Sequence, residues 1–205
     1  FIDHSTVSPK LILELEKKFS QKNVNFLDAP ISGGQSGAEN GTLSIMVGGN
    51  KQAFIRSEEL LKSYGKKIKF MGNSGSGQLT KIINQICIAG LIQGLSEAIY
   101  FMKQTDLSPE DVLEVISSGA AQSWQMENRF TTMVENKFDF GFAVDLMRKD
   151  LSITFEQAKE YGIDLEVTKI VDDFYSEIQK MGGNQFDTSR DRKSTRLNSS
   201  HLLIS

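Results

Sequence analysis

Apolar and polar positions along this chain follow two different periods, and the change comes near Gly72. Before Gly72, short β-rich runs separate segments of helical period. Pro9 opens a helix whose apolar positions Leu11, Leu13, Leu15 and Phe19 return at helical spacing, and proline suits the first helical turn. Residues 24–27 read as a strand leading into Ser32-Gly33-Gly34, and 43–47 as a strand closed by Gly48-Gly49. Residues 52–64 read as a helix and 67–71 as a strand. Strands alternating with helices predict a sheet covered by helices.

After Gly72 the pattern is helical throughout, and no further strand is read. Residues 78 to about 104 form one helix of about 40 Å at the standard rise, apolar on most faces and therefore expected to be buried. Ser108-Pro109-Glu110-Asp111 is an N-cap followed by proline, the signature of another helix start. Helices are predicted around 122–134, 144–161 and 165–182, the last stopped by Gly182-Gly183. Trp124, Phe130, Phe138, Phe140 and Phe142 are expected in the core or a pocket wall, with Phe142 the foremost pocket residue.

Charge narrows the partners. The chain has 23 basic and 26 acidic residues, a formal net charge of −3. The four basic and one acidic side chains of 190–205 mask a still more acidic body. An acidic chain without a basic stripe carries no nucleic-acid footprint. A single cysteine, Cys87, forms no internal disulfide, which fits a reducing, cytoplasmic compartment. No apolar run reads as long enough to span a bilayer, and no Cys/His/Asp/Glu cluster has metal-ligand spacing.

Two segments carry chemistry. Asp28-Ala29-Pro30-Ile31-Ser32-Gly33-Gly34 reads as a strand ending in a glycine-rich loop, which offers unobstructed backbone N–H groups to an anion. Gly75-Ser76-Gly77-Gln78-Leu79-Thr80-Lys81-Ile82-Ile83-Asn84-Gln85 opens the long helix with a lysine in its first turns. Burial and a helix N-terminus both ease the release of a lysine's proton. Lys81, Asn84 and Gln85 share one face, so an ammonium group and two amides converge on one small polar ligand. By periodicity alone, however, Lys81 is an ordinary solvated helix lysine.

These motifs resemble the β-hydroxyacid dehydrogenase family, which includes 3-hydroxyisobutyrate dehydrogenase and tartronate semialdehyde reductase. Four motifs match in order over roughly residues 1–190: Asp3-His4-Ser5-Thr6, the segment from Asp28 through Gly49, the segment from Gly75 to Asn84, and Lys149-Asp150-Leu151. The resemblance implies an α/β unit, the C-terminal part of a Rossmann-type dinucleotide-binding domain over 1–72. An all-α NAD-binding and dimerisation domain would follow over 75–189, beginning with a long interdomain helix. It implies NAD or NADP as cofactor, with Thr6 and Lys149 as contacts. It implies Lys81 as general acid/base, and Ser32, Gly33, Gly34, Asn84 and Gln85 as substrate contacts. The substrate implied is a short 3-hydroxy acid or its semialdehyde, and the intact form a homodimer or homotetramer. Many relatives carry Asn where this chain has Gln85, which bears on substrate preference. His4 is not a catalytic position in the family.

Two departures qualify this reading. A Gly-x-Gly-x-x-Gly turn, the usual seat of a dinucleotide's pyrophosphate, occurs nowhere in the 205 residues. A chain opening on Phe1-Ile2-Asp3 is therefore expected to be an N-terminally truncated, inactive fragment, and any targeting peptide lies outside it. Residues 190–205 resemble translated sequencing adaptor, so a non-native tail is expected. The alternatives are a non-catalytic family member acting as an interaction module, which retention of Lys81 opposes, and a phosphate-binding or structural domain.

Overall fold

The computed structural model describes residues 1–138 and 140–190. The described chain falls into two compact units: residues 1–85 with 152–164, and residues 86–151 with those from Leu165 onward.

The first unit is built on a mixed sheet. Strand β1 (Ile2–Asp3) is followed by helix α1 (Pro9–Ser20), whose N-cap Ser8 accepts the Leu11 N–H. Strands β2 (Leu27–Asp28) and β3 (Ile31–Ser32) come next, then the short helix α2 (Gly34–Glu39) and β4 (Leu43–Gly49). Helix α3 (Lys51–Lys62), capped by Asn50, and strand β5 (Gly65–Gly72) complete the sheet. β1 pairs parallel with β2; β2 and β3 both pair antiparallel with β4; β5 lies parallel on the other side of β4. β2 and β3 form one path interrupted at Ala29-Pro30, since proline has no N–H for the ladder. Leu43, Ile45 and Val47 alternate into a core shared with Leu27, Ala29, Ala53 and Leu61.

This is the Rossmann-type α/β layout expected, with local corrections. The strand expected over 24–27 is only Leu27–Asp28, and Val24 is exposed. β3 lies in the strand expected to run from Asp28 to the glycine loop, but α2 was not expected; glycines at 33, 34, 37 and 41 hide a helix that lacks any hydrophobic period. In α1 the buried side chain is Ile12, while Leu11 and Leu13 are exposed. Leu13 cannot share a face with Leu11 and Leu15 at helical pitch, whereas Ile12, Leu15 and Phe19 can.

The second unit is helical. Helix α4 (Ser76–Met102) starts in the first unit and ends in the second. It is followed by α5 (Pro109–Ser117), α6 (Trp124–Val134), α7 (Val144–Glu160), whose residues from Ser152 on belong to the first unit, and α8 (Glu166–Lys180). Ser108 and Ser123 cap α5 and α6 with their hydroxyls. Leu95, Ile99 and Met102 of α4 pack with Met126, Phe130, Met133 and Phe138. The bidentate pair Arg148–Asp172, at 2.9 and 3.0 Å, ties α7 to α8. After α8, Gly182 and Gly183 donate to Gln179 and Ile178 in a Schellman stop, as their positions predicted.

Here too the structure corrects details. α4 is long and apolar enough to cross a membrane by length and composition, contrary to the expectation that no run would be. The same character belongs to core helices, and Ala89, Ile92, Leu95, Ile99 and Met102 of α4 are buried. Trp124 is exposed rather than core, with the Arg129 guanidinium 5.1 Å from its ring centre. Arg190, placed in the expected tail, lies 3.8 Å over the Phe186 ring; residues 191–205 are outside the described ones. By contact the first unit extends to residue 85, because the first turns of α4 are bonded to Asp28 of the sheet.

Candidate functional site

The start of α4 is fixed by a residue far away in sequence. Asp28, at the end of β2, is fully buried, and its carboxylate accepts the Gly75 N–H at 2.9 Å and the Gln78 N–H at 3.1 Å. Burial pushes this carboxyl above the usual range, while those backbone donors act in the opposite direction. Glycines make the close approach possible. A Cβ at Gly48 would lie 2.5 Å from Asp28 Oδ1, and one at Gly77 would lie 2.4 Å from the Met46 carbonyl oxygen.

Gln78, also fully buried, ties the same turn to the loop after β1. Its Nε2 donates to the Ser5 carbonyl at 2.8 Å and its Oε1 accepts the Val7 N–H at 3.1 Å. The two bonds bracket Thr6. Three of the four sequence motifs therefore meet at the first turn of α4. Lys81 follows Gln78 by three residues and is only 7% exposed, so it is not the solvated lysine that periodicity alone allows. Asn84 Nδ2 donates to Gln85 Oε1 at 2.8 Å, and Gln85 is buried. The structure thus brings the two amides of the expected substrate face together.

Ser32 pairs with Ser44 at the end of β3. Gly33 and Gly34 turn the chain into α2 with φ of 130° and 60°, a backbone that side chains disfavour. Both glycines are exposed, and the space beside Gly34 is open. Lys149, in the second unit, pairs with the buried Asp150 at 2.9 Å. His4 is a structural bridge: Nδ1 donates to the Ala29 carbonyl at 2.6 Å, and Nε2 meets the Tyr64 hydroxyl at 2.9 Å. Among the described residues no group of three or more His, Cys, Asp or Glu could hold a metal ion.

Asp28 and Gln78 stand in the two motifs without a role that their spacing suggests. The available signal was a carboxylate inside an apolar strand, next to glycines that leave it room.

Two family models cover the chain. The NAD-binding domain of 6-phosphogluconate dehydrogenase matches residues 1–72, and the NAD-binding domain of NADP-dependent 3-hydroxyisobutyrate dehydrogenase matches 75–191. The 2-hydroxy-3-oxopropionate reductase of Escherichia coli is 34% identical over 202 residues, covering 98% of this chain and 69% of that protein. The chain belongs to the β-hydroxyacid dehydrogenase family. An uncharacterized oxidoreductase of Shewanella frigidimarina is 50% identical over 92% of this chain and 65% of its own length. The chain thus spans just under two thirds of that relative. Among solved structures, the family's 3-hydroxyisobutyrate dehydrogenase from Mycobacterium tuberculosis, with L-serine, superposes with a TM-score of 0.82 at 28% identity. That match covers 92% of this chain and 67% of the enzyme. Both matched models describe NAD-binding domains, so NAD or NADP is the cofactor class of this family.

Proposed function

We propose that this chain carries the acid/base and substrate-binding residues of an NAD(P)-dependent oxidoreductase that interconverts a short 3-hydroxy acid, such as 3-hydroxyisobutyrate, and its semialdehyde. The observation that carries this reading is the buried Lys81, three residues beyond a glutamine whose side chain brackets Thr6. It sets a proton carrier on the turn of α4 that is bonded to the expected cofactor-side loop.

A bound NAD(P) would supply hydride-transfer chemistry at the substrate carbon. The oxygen on that carbon then needs a proton partner. The neutral amine of Lys81 takes the hydroxyl proton during oxidation, and its ammonium form returns it during reduction. Ser32 Oγ–H and the N–H groups of Gly33 and Gly34 donate to the substrate carboxylate, a donor set suited to an anion beside an open backbone. Asn84 and Gln85 orient the substrate hydroxyl or carbonyl. Thr6 and Lys149 would each help to hold the cofactor; no Gly-x-Gly-x-x-Gly turn occurs among these 205 residues. The enzyme is read as a cytoplasmic homodimer or homotetramer.

The test joins residues 1–190 behind the N-terminal segment of the Shewanella relative and follows turnover of 3-hydroxyisobutyrate and tartronate semialdehyde with each cofactor. Lys81→Ala is expected to lower kcat by about 10²–10⁴-fold, the usual cost of losing a general acid/base. Near-normal turnover in that variant removes Lys81 from the mechanism.

A further inference from the structure

Four helices of this chain, α1, α3, α5 and α6, begin under a cap from the residue immediately ahead: Ser8, Asn50, Ser108 and Ser123. Such a cap fixes the conformation of a helix start but not its position in the fold. The start of α4 is capped instead by Asp28, 47 to 50 residues away in sequence. A cap drawn from the sheet fixes where the helix begins relative to the sheet. Its cost is a fully buried carboxylate, a group that is expensive to strip of water. Both oxygens are committed to backbone donors, so neither Asn nor a protonated Asp replaces it in full. Gln78 extends the same fixed turn to the Ser5–Val7 backbone.

We propose that Asp28 and Gln78 form a buried clasp that positions Lys81, holding its amine in one place relative to β2 and the Thr6 loop. They are positioning residues, and they act through the first turn of α4. A helix is rigid over three residues, so displacement at Gln78 carries directly to Lys81. The inference rests on the reading of Lys81 as the proton carrier, but its test does not require turnover.

The experiment uses the 205-residue chain and labels its lysines competitively with acetic anhydride, reading each site by mass spectrometry. Amide hydrogen exchange is recorded in parallel. In the wild type, Lys81 is expected to react at least tenfold more slowly than the exposed Lys62. Asp28→Asn and Asp28→Ala are expected to raise Lys81 labelling by at least fivefold, with the smaller increase in Asp28→Asn, which keeps one acceptor. Exchange at the Gly75 and Gln78 amides should rise with it. Gln78→Met, which retains volume and loses both bonds, serves if the Asp28 variants fail to fold; it is expected to raise Lys81 labelling and Val7 exchange together. Leu61→Ala, a truncation in the sheet core that removes none of the clasp's hydrogen bonds, is the control for general loosening.

Unchanged Lys81 labelling in the clasp variants, or an equal increase in Leu61→Ala at matched Tm, overturns the proposal. The two readings fail separately: normal turnover of Lys81→Ala in the joined enzyme removes the catalytic role and leaves the labelling result standing.

Discussion

Asp28 shows how one residue couples pH to stability in this chain. Its carboxyl is pushed above its ordinary value of 3.8, chiefly by burial. The folded state therefore holds this proton more tightly than the unfolded state does. Between 3.8 and the raised folded value, falling pH favours the fold; above that window Asp28 is charged in both states and its burial opposes folding. Asp28→Asn does not titrate. The Tm of wild type minus that of Asp28→Asn is thus expected to be larger at pH 4.5 than at pH 7.5, measured by circular dichroism at constant ionic strength. A difference that shrinks in acid would mean that the backbone donors outweigh desolvation. Sequence reading placed Asp28 in the right motif, yet nothing in the motif said that its carboxylate would serve a helix some fifty positions on. His4 is the reverse case: its ring tempts as a catalyst, and the structure uses both nitrogens between Ala29 and Tyr64.

At the scale of elements, the glycines of α4 sort into two kinds that sequence does not separate. Gly77 faces the Met46 carbonyl oxygen at 2.4 Å and the Asp28 carbonyl oxygen at 2.8 Å from any added Cβ. Both neighbours are backbone, so Gly77→Ala has to lift the helix off the sheet; a loss of about 1–3 kcal/mol, typical of overpacking, is expected by urea unfolding. Gly94 has open space around the same position. There Gly94→Ala is expected to add about 0.5–1 kcal/mol through helix propensity alone. Equal effects at the two sites would contradict the packing described for the start of α4. In the helical unit, the fork of Arg148 on Asp172 also predicts a difference between cations. Arg148→Lys keeps the charge but loses the paired geometry, and is expected to cost about 1 kcal/mol at this partly exposed site.

The whole molecule is two units whose contents were legible to different degrees. Helices α5, α6 and α8 follow from local signals, because proline, serine caps and a paired-glycine stop act within a few residues. The long α4 was legible by its apolar length. For cofactor binding, the decisive feature at this scale is that no Gly-x-Gly-x-x-Gly turn occurs among the 205 residues. Residues 1–205 alone are expected to show no saturable NAD or NADP binding by calorimetry up to millimolar concentration, since the usual seat of a dinucleotide's pyrophosphate is not among them. Micromolar binding to this chain would show that other residues hold the pyrophosphate.

By itself, the sequence determined the order of strands and helices apart from α2, the switch from α/β to all-α, the family, and the residues proposed for chemistry. All of these are written in local period, capping chemistry or contiguous motifs, which need no knowledge of what lies across the fold. Tertiary structure alone decided that Ile12 rather than Leu13 is buried, that Leu27-Asp28 and Ile31-Ser32 are two strands split at a proline, and that Trp124 faces outward. It alone brought Asp28, Gly48, Gly77, Gln78 and the Ser5–Val7 backbone to one point. Those contacts join positions up to 73 apart in sequence. A buried carboxylate and a buried amide acquire meaning only from the backbone donors and acceptors they meet, and the chain reveals these partners once it has folded.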